Sequence, residues 1–131
     1  MLLDKIPRPQ FLKVMKKIEA IIRMERFARV KSALAREGVD FFTYQVVKGV
    51  GNQEAVQQNY RGASYLQDSF DRIQLSIVVG ANKSDKIVDI ILKEANTGQV
   101  GDGKIFISDV STMIRIRDGK VNEKAVEVAL V

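Results

Sequence analysis

The chain contains no cysteine and no histidine. The first absence excludes a disulfide scaffold, thiolate metal sites and thiol nucleophiles. The second removes the commonest general base and the commonest transition-metal ligand, and with them Ser-His-Asp hydrolases and zinc enzymes. No apolar run approaches the ~18 residues that a membrane span needs, and the opening MLLDKIPRPQFLKV lacks the uninterrupted apolar core of a secretion signal. The expectation is a cytoplasmic protein with no direct membrane insertion. What remains is 131 residues, 46% apolar and 28% charged, enough for one globular domain. A chain of this size buries roughly two-thirds of its surface and needs no covalent staple. An excess of 21 Lys and Arg over 16 Asp and Glu, +5 in all, favours anionic partners without choosing among nucleotides, nucleic acids and lipids.

Hydrophobic spacing orders the elements. After a stretch broken by Pro7 and Pro9, Lys16 to Arg23 carries Ile18, Ile21 and Ile22 and reads as a short strand. From Arg26 to Glu37 the apolar Phe27, Val30, Ala33 and Leu34 recur at helical spacing, and Gly38 follows where a helix end favours a left-handed residue. Val39 to Lys48 and Arg72 to Val79 are rich in β-branched and aromatic residues and read as strands. Asn82 or Ser84 can cap a second helix with the stripe Ile87, Val88, Ile91, Leu92 and Ala95, ending before Gly98. Lys104 to Ser108 and Met113 to Arg117 supply two more short strands. The order β-α-β-β-α-β defines an α+β fold of the ferredoxin-like sandwich type, with both helices on one sheet face. If the other face is apolar it has to meet another subunit, and a cyclic oligomer covers it economically.

Two segments stand out. More than twenty residues, GVGNQEAVQQNYRGASYLQDSFD, separate the strands ending near Lys48 and starting near Arg72. They carry no sustained helical or alternating pattern, and unstructured loops beyond about 12–15 residues are usually functional or disordered, so this one reads as an exposed, mobile recognition loop. The other is TGQVGDGKIFI, where Gly101-Asp102-Gly103-Lys104 leads into a strand. Glycines let backbone amides approach a phosphate and a lysine adds charge, but Asp-Gly is equally a common turn pair. Arg115 and Arg117, two apart on a strand, would share a face and could converge on one polyphosphate; a solvated edge is the other reading.

Taken with YRGASY in the long loop, the opening MKKIEAIIR and the later IRIRDG, these segments resemble the PII signal-transduction family, the GlnB and GlnK type proteins. The resemblance runs from Met15 to beyond Arg117, so residues 1–14 form an N-terminal extension and 15–131 a PII-like domain whose recognition loop spans about 49–70. It implies a compact homotrimer with ATP or ADP bound as effectors in the clefts between subunits, and a long loop that carries the signal to a target such as a transporter or metabolic enzyme. On that resemblance, Ile21 and Val78 line the adenine side, with Thr43 and the backbone around Phe41 and Phe42 near base or ribose. Gly49, Gly51 and Asn52 sit at the loop root near the phosphates. Gly101, Asp102, Gly103, Lys104, Arg115 and Arg117 form the phosphate cradle. Gln53 helps hold Mg²⁺ on the ATP phosphates, and the metal in turn takes 2-oxoglutarate through its keto acid; magnesium's preference for oxygen ligands suits an amide oxygen among phosphates.

Departures from the family cluster at the loop root. Val50, Asn52, Glu54 and Ala55 replace an aromatic residue, an arginine and a lysine-glycine pair. Arg72 stands where the family's lysine meets the far carboxylate of 2-oxoglutarate, and Ser76 replaces a glutamate. A carboxylate at Glu54 repels a dianionic metabolite by about 1 kcal/mol or more at a partly desolvated site. The expected function is therefore an energy-state sensor of ATP and ADP with a weak or absent 2-oxoglutarate response; the alternative is a conventional nitrogen-regulatory PII protein that senses 2-oxoglutarate with Mg-ATP. Tyr65 holds the position that relatives modify with a nucleotide, although Ser64 replaces the usual glutamate, and simple partner contact is the other reading. The extension offers Leu2, Leu3, Phe11 and Leu12 as either a tail or a segment packing on a neighbouring subunit. A ferredoxin-like nucleic-acid module lacks its aromatic signature, since KIFIS holds one aromatic residue. An acylphosphatase-like enzyme lacks an evident nucleophile and base, so no catalytic residue is assigned, the chain is read as a regulator and not an enzyme, and nucleic acid is not an expected partner.

Overall fold

Alternation of buried and half-exposed residues decides the sheet. In the computed structural model, which describes residues 15–39, 41–51, 69–121 and, by backbone alone, 56–60 and 63–67, β1 spans Met15–Arg23 and buries Ile18, Ala20 and Ile22. After a 3₁₀ turn at Met24–Arg26 comes helix α1, Phe27–Arg36. Strand β2 spans Thr43–Val50, β3 Val56–Tyr60, β4 Ala63–Gln67 and β5 Ser69–Gly80. Helix α2 spans Ala81–Ala95 and β6 Lys104–Val110. Four strands form one antiparallel sheet in the order β2-β5-β1-β6, and β3 pairs with β4 apart from it. With the β3–β4 pair set aside, this is the expected βαββαβ order of a ferredoxin-like sheet.

The core lies between sheet and helices. Ile73, Leu75, Ile77 and Val79 of β5 meet Ile18, Ala20 and Ile22 of β1, and Val30 and Leu34 of α1 with Ile87 and Ile91 of α2 cover them. On α2 the buried Ser84, Ile87, Ile91 and Ala95 lie three and four residues apart, which is one helical stripe. Ile18 stands opposite both Ile77 and Ile107, and Ala20 opposite Leu75 and Ile105, so the register stacks apolar pairs across the three strands. The opposite face carries Lys17, Glu19, Gln74, Ser76, Gln45 and Thr43 around Ile21, Val78 and Phe106. It is mixed rather than apolar, so oil-like burial alone gives no reason to cover it.

Several expectations change. The second strand begins at Thr43 rather than Val39, because Val39 closes α1 instead: its N–H bonds Leu34 O at 2.9 Å while Gly38 N–H bonds Ala35 O at 3.0 Å, with Gly38 at φ 90°. Only a residue at ease in the left-handed region makes that helix stop without strain. Neither Asn82 nor Ser84 caps α2; Gly80 occupies the cap with no side-chain bond, and the Ser84 hydroxyl donates to Ala81 O at 2.9 Å. The long loop is not patternless, since Val56–Tyr60 and Ala63–Gln67 form an antiparallel ladder. Met113–Arg117 is not a strand: an isolated bridge joins Ile114 to Val121, residues 116–118 turn, and Ile116 is 98% exposed. The N-terminal extension lies outside the described residues. Among those described, no helix is long and apolar enough to cross a membrane.

Truncation at the centre of the sheet tests this packing. Ile77→Ala, at a position 1% exposed, is expected to lower unfolding free energy by about 2–5 kcal/mol in urea titrations. Ile116→Ala is expected to stay within about 0.5 kcal/mol.

Candidate functional site

The turn between α2 and β6 is built around one carboxylate. Thr97 N–H and Gly98 N–H donate to Asp102 Oδ2 at 2.8 and 2.9 Å. The Thr97 hydroxyl and the Arg23 Nε–H donate to Oδ1, the latter at 3.0 Å. Arg23 also donates from Nη2 to Val100 O at 2.7 Å, and Asn96 Oδ1 accepts Gly98 N–H at 2.7 Å. Four donors fill the lone-pair positions of Asp102. They hold its carboxyl well below the usual carboxylate range, with the Thr97 hydroxyl first among the causes; partial desolvation opposes them, and Arg23 and the two amides add to them.

Gly103 fixes where the turn lies. Its φ is 101°, and a β-carbon there would stand 1.7 Å from Ile21 O. Only a glycine lets residues 101–104 lie directly on the β1 backbone. Lys104 then pairs with Ile21 and starts β6.

A cavity of about 440 Å³ opens where this turn meets the root of β2 and β5. It brings together Ile21, Gly49, Gly51, Arg72, Gly101, Asp102, Gly103 and Lys104 of the expected site, and adds Val50 and Phe70. Arg72 Nη1 donates to Asp71 O at 3.0 Å, and its guanidinium carbon lies 5.2 Å from the centre of the Phe70 ring. A larger trough of about 510 Å³ adjoins it between β6 and α2, walled by Ile91, Leu92, Ile105 and Ile107. That trough is mostly apolar and shares Ile21, Asp102, Gly103 and Lys104 with the smaller cavity, where Gly49, Gly51, Gly101 and Arg72 join them; glycine amides beside cationic side chains suit an anion with several oxygens. The only carboxylate among the described residues lining it is Asp102, already saturated. Mg²⁺ there would depend on phosphate oxygens and on Gln53, which with Asn52 and Glu54 lies outside the described residues.

Other expected residues lie elsewhere. Ile21 and Lys104 share one level of the sheet with Gln74, whereas Thr43 pairs with Ser76 two residues along β5 and Val78 pairs with Lys17 four along. Two and four strand residues span about 7 and 13 Å, and none of Thr43, Val78 and the neighbouring Phe42 lines the cavity. Arg115 and Arg117 do not converge as a strand pair either. Arg115 makes a two-pronged ion pair with Asp118, Nε to Oδ1 at 3.0 Å, and its N–H donates to Lys120 O at 2.8 Å. That turn holds the Asp118 carboxyl well below its usual range, the Arg115 hydrogen bond leading the causes against some desolvation, and raises Arg115 in return. Arg115 Nη1 is buried with no partner among the described residues. The backbone of Tyr65 lies on β4, and its side chain is outside the described set. Arg23 and Thr97 are the turn-building partners of Asp102 that pattern reading did not assign. A carboxylate inside a glycine turn needs donors, and that was the available signal, but spacing does not reveal a partner 79 positions away.

Comparison with known proteins finds relatives along most of the chain. The family model described as Nitrogen regulatory protein P-II matches residues 15–120. The chain is 46% identical over 111 residues to nitrogen regulatory protein P-II of Porphyra purpurea, covering 85% of this chain and 99% of that one. It is 43% identical over 112 residues to nitrogen regulatory protein P-II 1 of Escherichia coli K12, covering 86% and 100%. Among solved structures, Arabidopsis thaliana PII bound to citrate superposes with a TM-score of 0.70 at 33% identity, covering 86% of this chain and 92% of that one. A Bacillus subtilis GlnK-ATP complex superposes with a TM-score of 0.69 at 30% identity, covering 86% and 97%.

Two outcomes follow for the turn. Gly103→Ala is expected to pull residues 101–104 off β1 and broaden or shift their amide resonances, while the β5 core signals stay in place. Because Asp102 titrates lower when folded than when unfolded, its contribution to stability is complete above about pH 4 and is lost as pH falls further. Asp102→Asn is therefore expected to flatten the acid limb of a pH-stability curve while lowering stability at pH 7.

Proposed function

The chain belongs to the nitrogen regulatory protein P-II family, and from that premise we propose that it is an energy-state sensor. It binds ATP or ADP in clefts between the subunits of a cyclic homotrimer in the cytoplasm, and passes the phosphate state to a target protein through the long loop. The observation that carries this reading is the shared cavity: the Gly101–Lys104 turn faces the strand ends from which that loop leaves, at Gly49, Gly51 and Phe70. A γ-phosphate there adds charge and contacts at the loop root, and a ligand shifts a loop only through such a difference in contact energy.

The intersubunit cleft is supported by the separation of Thr43 and Val78 from Ile21 and Lys104 within one chain. Of the residues expected near the base, Ile21 lines the cavity while Thr43 and Val78 do not, and copies of the latter two on a neighbouring protomer could complete it. The same holds for Arg115 and Arg117, whose rigid turn lies outside the cavity of its own chain. The solved GlnK-ATP complex, similar in fold at 30% identity, supports ATP as the ligand. The weakened 2-oxoglutarate response rests on Glu54, on Arg72 in place of lysine and on Ser76 in place of glutamate. Regulation without catalysis, and Mg²⁺ carried by the nucleotide, complete the reading. The conventional alternative, 2-oxoglutarate sensing with Mg-ATP, makes the opposite prediction in the same titration.

Calorimetry separates them. ATP and ADP are each expected to bind and to raise thermal stability, by about 2.7 kcal/mol at a hundredfold excess over Kd. Lys104→Ala is expected to weaken ATP about 10- to 100-fold through loss of a charge-assisted contact. With saturating Mg-ATP, 2-oxoglutarate is expected to give no micromolar binding; a micromolar isotherm supports the conventional reading instead.

A further inference from the structure

Arg23 ends β1 beside the cavity without lining it. Its fork reaches two acceptors of the neighbouring turn at once, the Asp102 carboxylate at 3.0 Å and the Val100 carbonyl at 2.7 Å. Both partners are sheltered, with side chains 19% and 22% exposed, so the pair is screened far less than a surface bridge. Glu25 approaches Arg23 only at 4.0 Å from a largely exposed position and competes weakly.

The electrostatics of the cavity give this pair its meaning. Lys104 and Arg72 bring positive charge to the wall, and Asp102 brings the one negative charge among the described lining residues. An uncompensated carboxylate at that place would repel phosphate. We propose that Arg23 is a positioning residue for the nucleotide site: it pins the Gly101–Lys104 turn in its anion-accepting shape and cancels the Asp102 charge, so that phosphates meet a net positive wall. This rests on the nucleotide reading of the cavity. Lysine at position 23 would keep the charge but could not serve carboxylate and carbonyl together, because the planar fork does both.

The test is ATP titration by calorimetry on the full chain at pH 7.5, with amide exchange of residues 97–103 followed without nucleotide. Arg23→Gln is expected to weaken ATP at least tenfold and to speed exchange of the turn, and Arg23→Lys to fall between it and the unaltered protein. Pairing Arg23→Gln with Asp102→Asn is expected to recover part of the ATP affinity lost in Arg23→Gln alone, since the repelling charge is gone. A merely structural role leaves the double variant binding ATP no better than Arg23→Gln alone, and that result overturns the inference. ATP binding unchanged in Arg23→Gln overturns it as well. Absence of ATP binding to the unaltered protein removes the nucleotide reading of the cavity and this inference with it.

Discussion

The close contact between Gly103 and the backbone of β1 is the constraint on which the rest depends. With 1.7 Å between Ile21 O and the place a β-carbon would take, no other residue lets the α2–β6 connection lie on the sheet. That contact sets the start of β6 against Ile21, brings Asp102 within reach of Arg23, and turns the Lys104 end of the strand toward the roots of β2 and β5. A carboxylate saturated by four donors then keeps the turn in one shape. Rigid, glycine-rich and cationic, it is the kind of surface that receives phosphate without first paying an ordering cost.

The sheet frame carries the regulatory logic. Its register puts Ile21 and Lys104 at one level and Thr43 and Val78 at others, so the residues of the proposed nucleotide site are spread along one sheet face of the protomer. The proposed assembly reunites them across a cleft, where ligand binding and subunit contact become one event. In sequence the β3–β4 segment lies between Gly51 and Phe70, which both line the cavity, so on the proposed reading a change in phosphate charge acts at the root of that segment.

Much of this was legible in the residues. Strict alternation at Ile73, Leu75, Ile77 and Val79, and the three- and four-residue spacing of Ile87, Ile91 and Ala95, announce a strand and a helix because both bury one face. The Gly-Asp-Gly-Lys run announced a turn, and a turn is there. What stayed hidden has particular causes. Met113–Arg117 has the alternation of a strand, but Asp118 and Gly119 draw the chain into a turn through the Arg115 ion pair, and local bonding outweighed propensity. The ladder at Val56–Tyr60 and Ala63–Gln67 does not alternate, since VQQNY runs three polar residues together and ASYLQ sets Tyr65 beside Leu66, so no hydrophobic period marks it. Asp102 reads as a phosphate-site residue in sequence and proves to be the builder of the turn, since its partner Arg23 is distant along the chain and adjacent only in the fold.

The most direct test of the central claim is a crystal structure of the full chain grown with Mg-ATP. The account predicts a three-fold ring with phosphate oxygens on the 101–103 amides and the Lys104 ammonium, and with the adenine against Thr43 and Val78. A lone protomer, or a nucleotide bound anywhere that leaves the 101–104 turn bare, would contradict it.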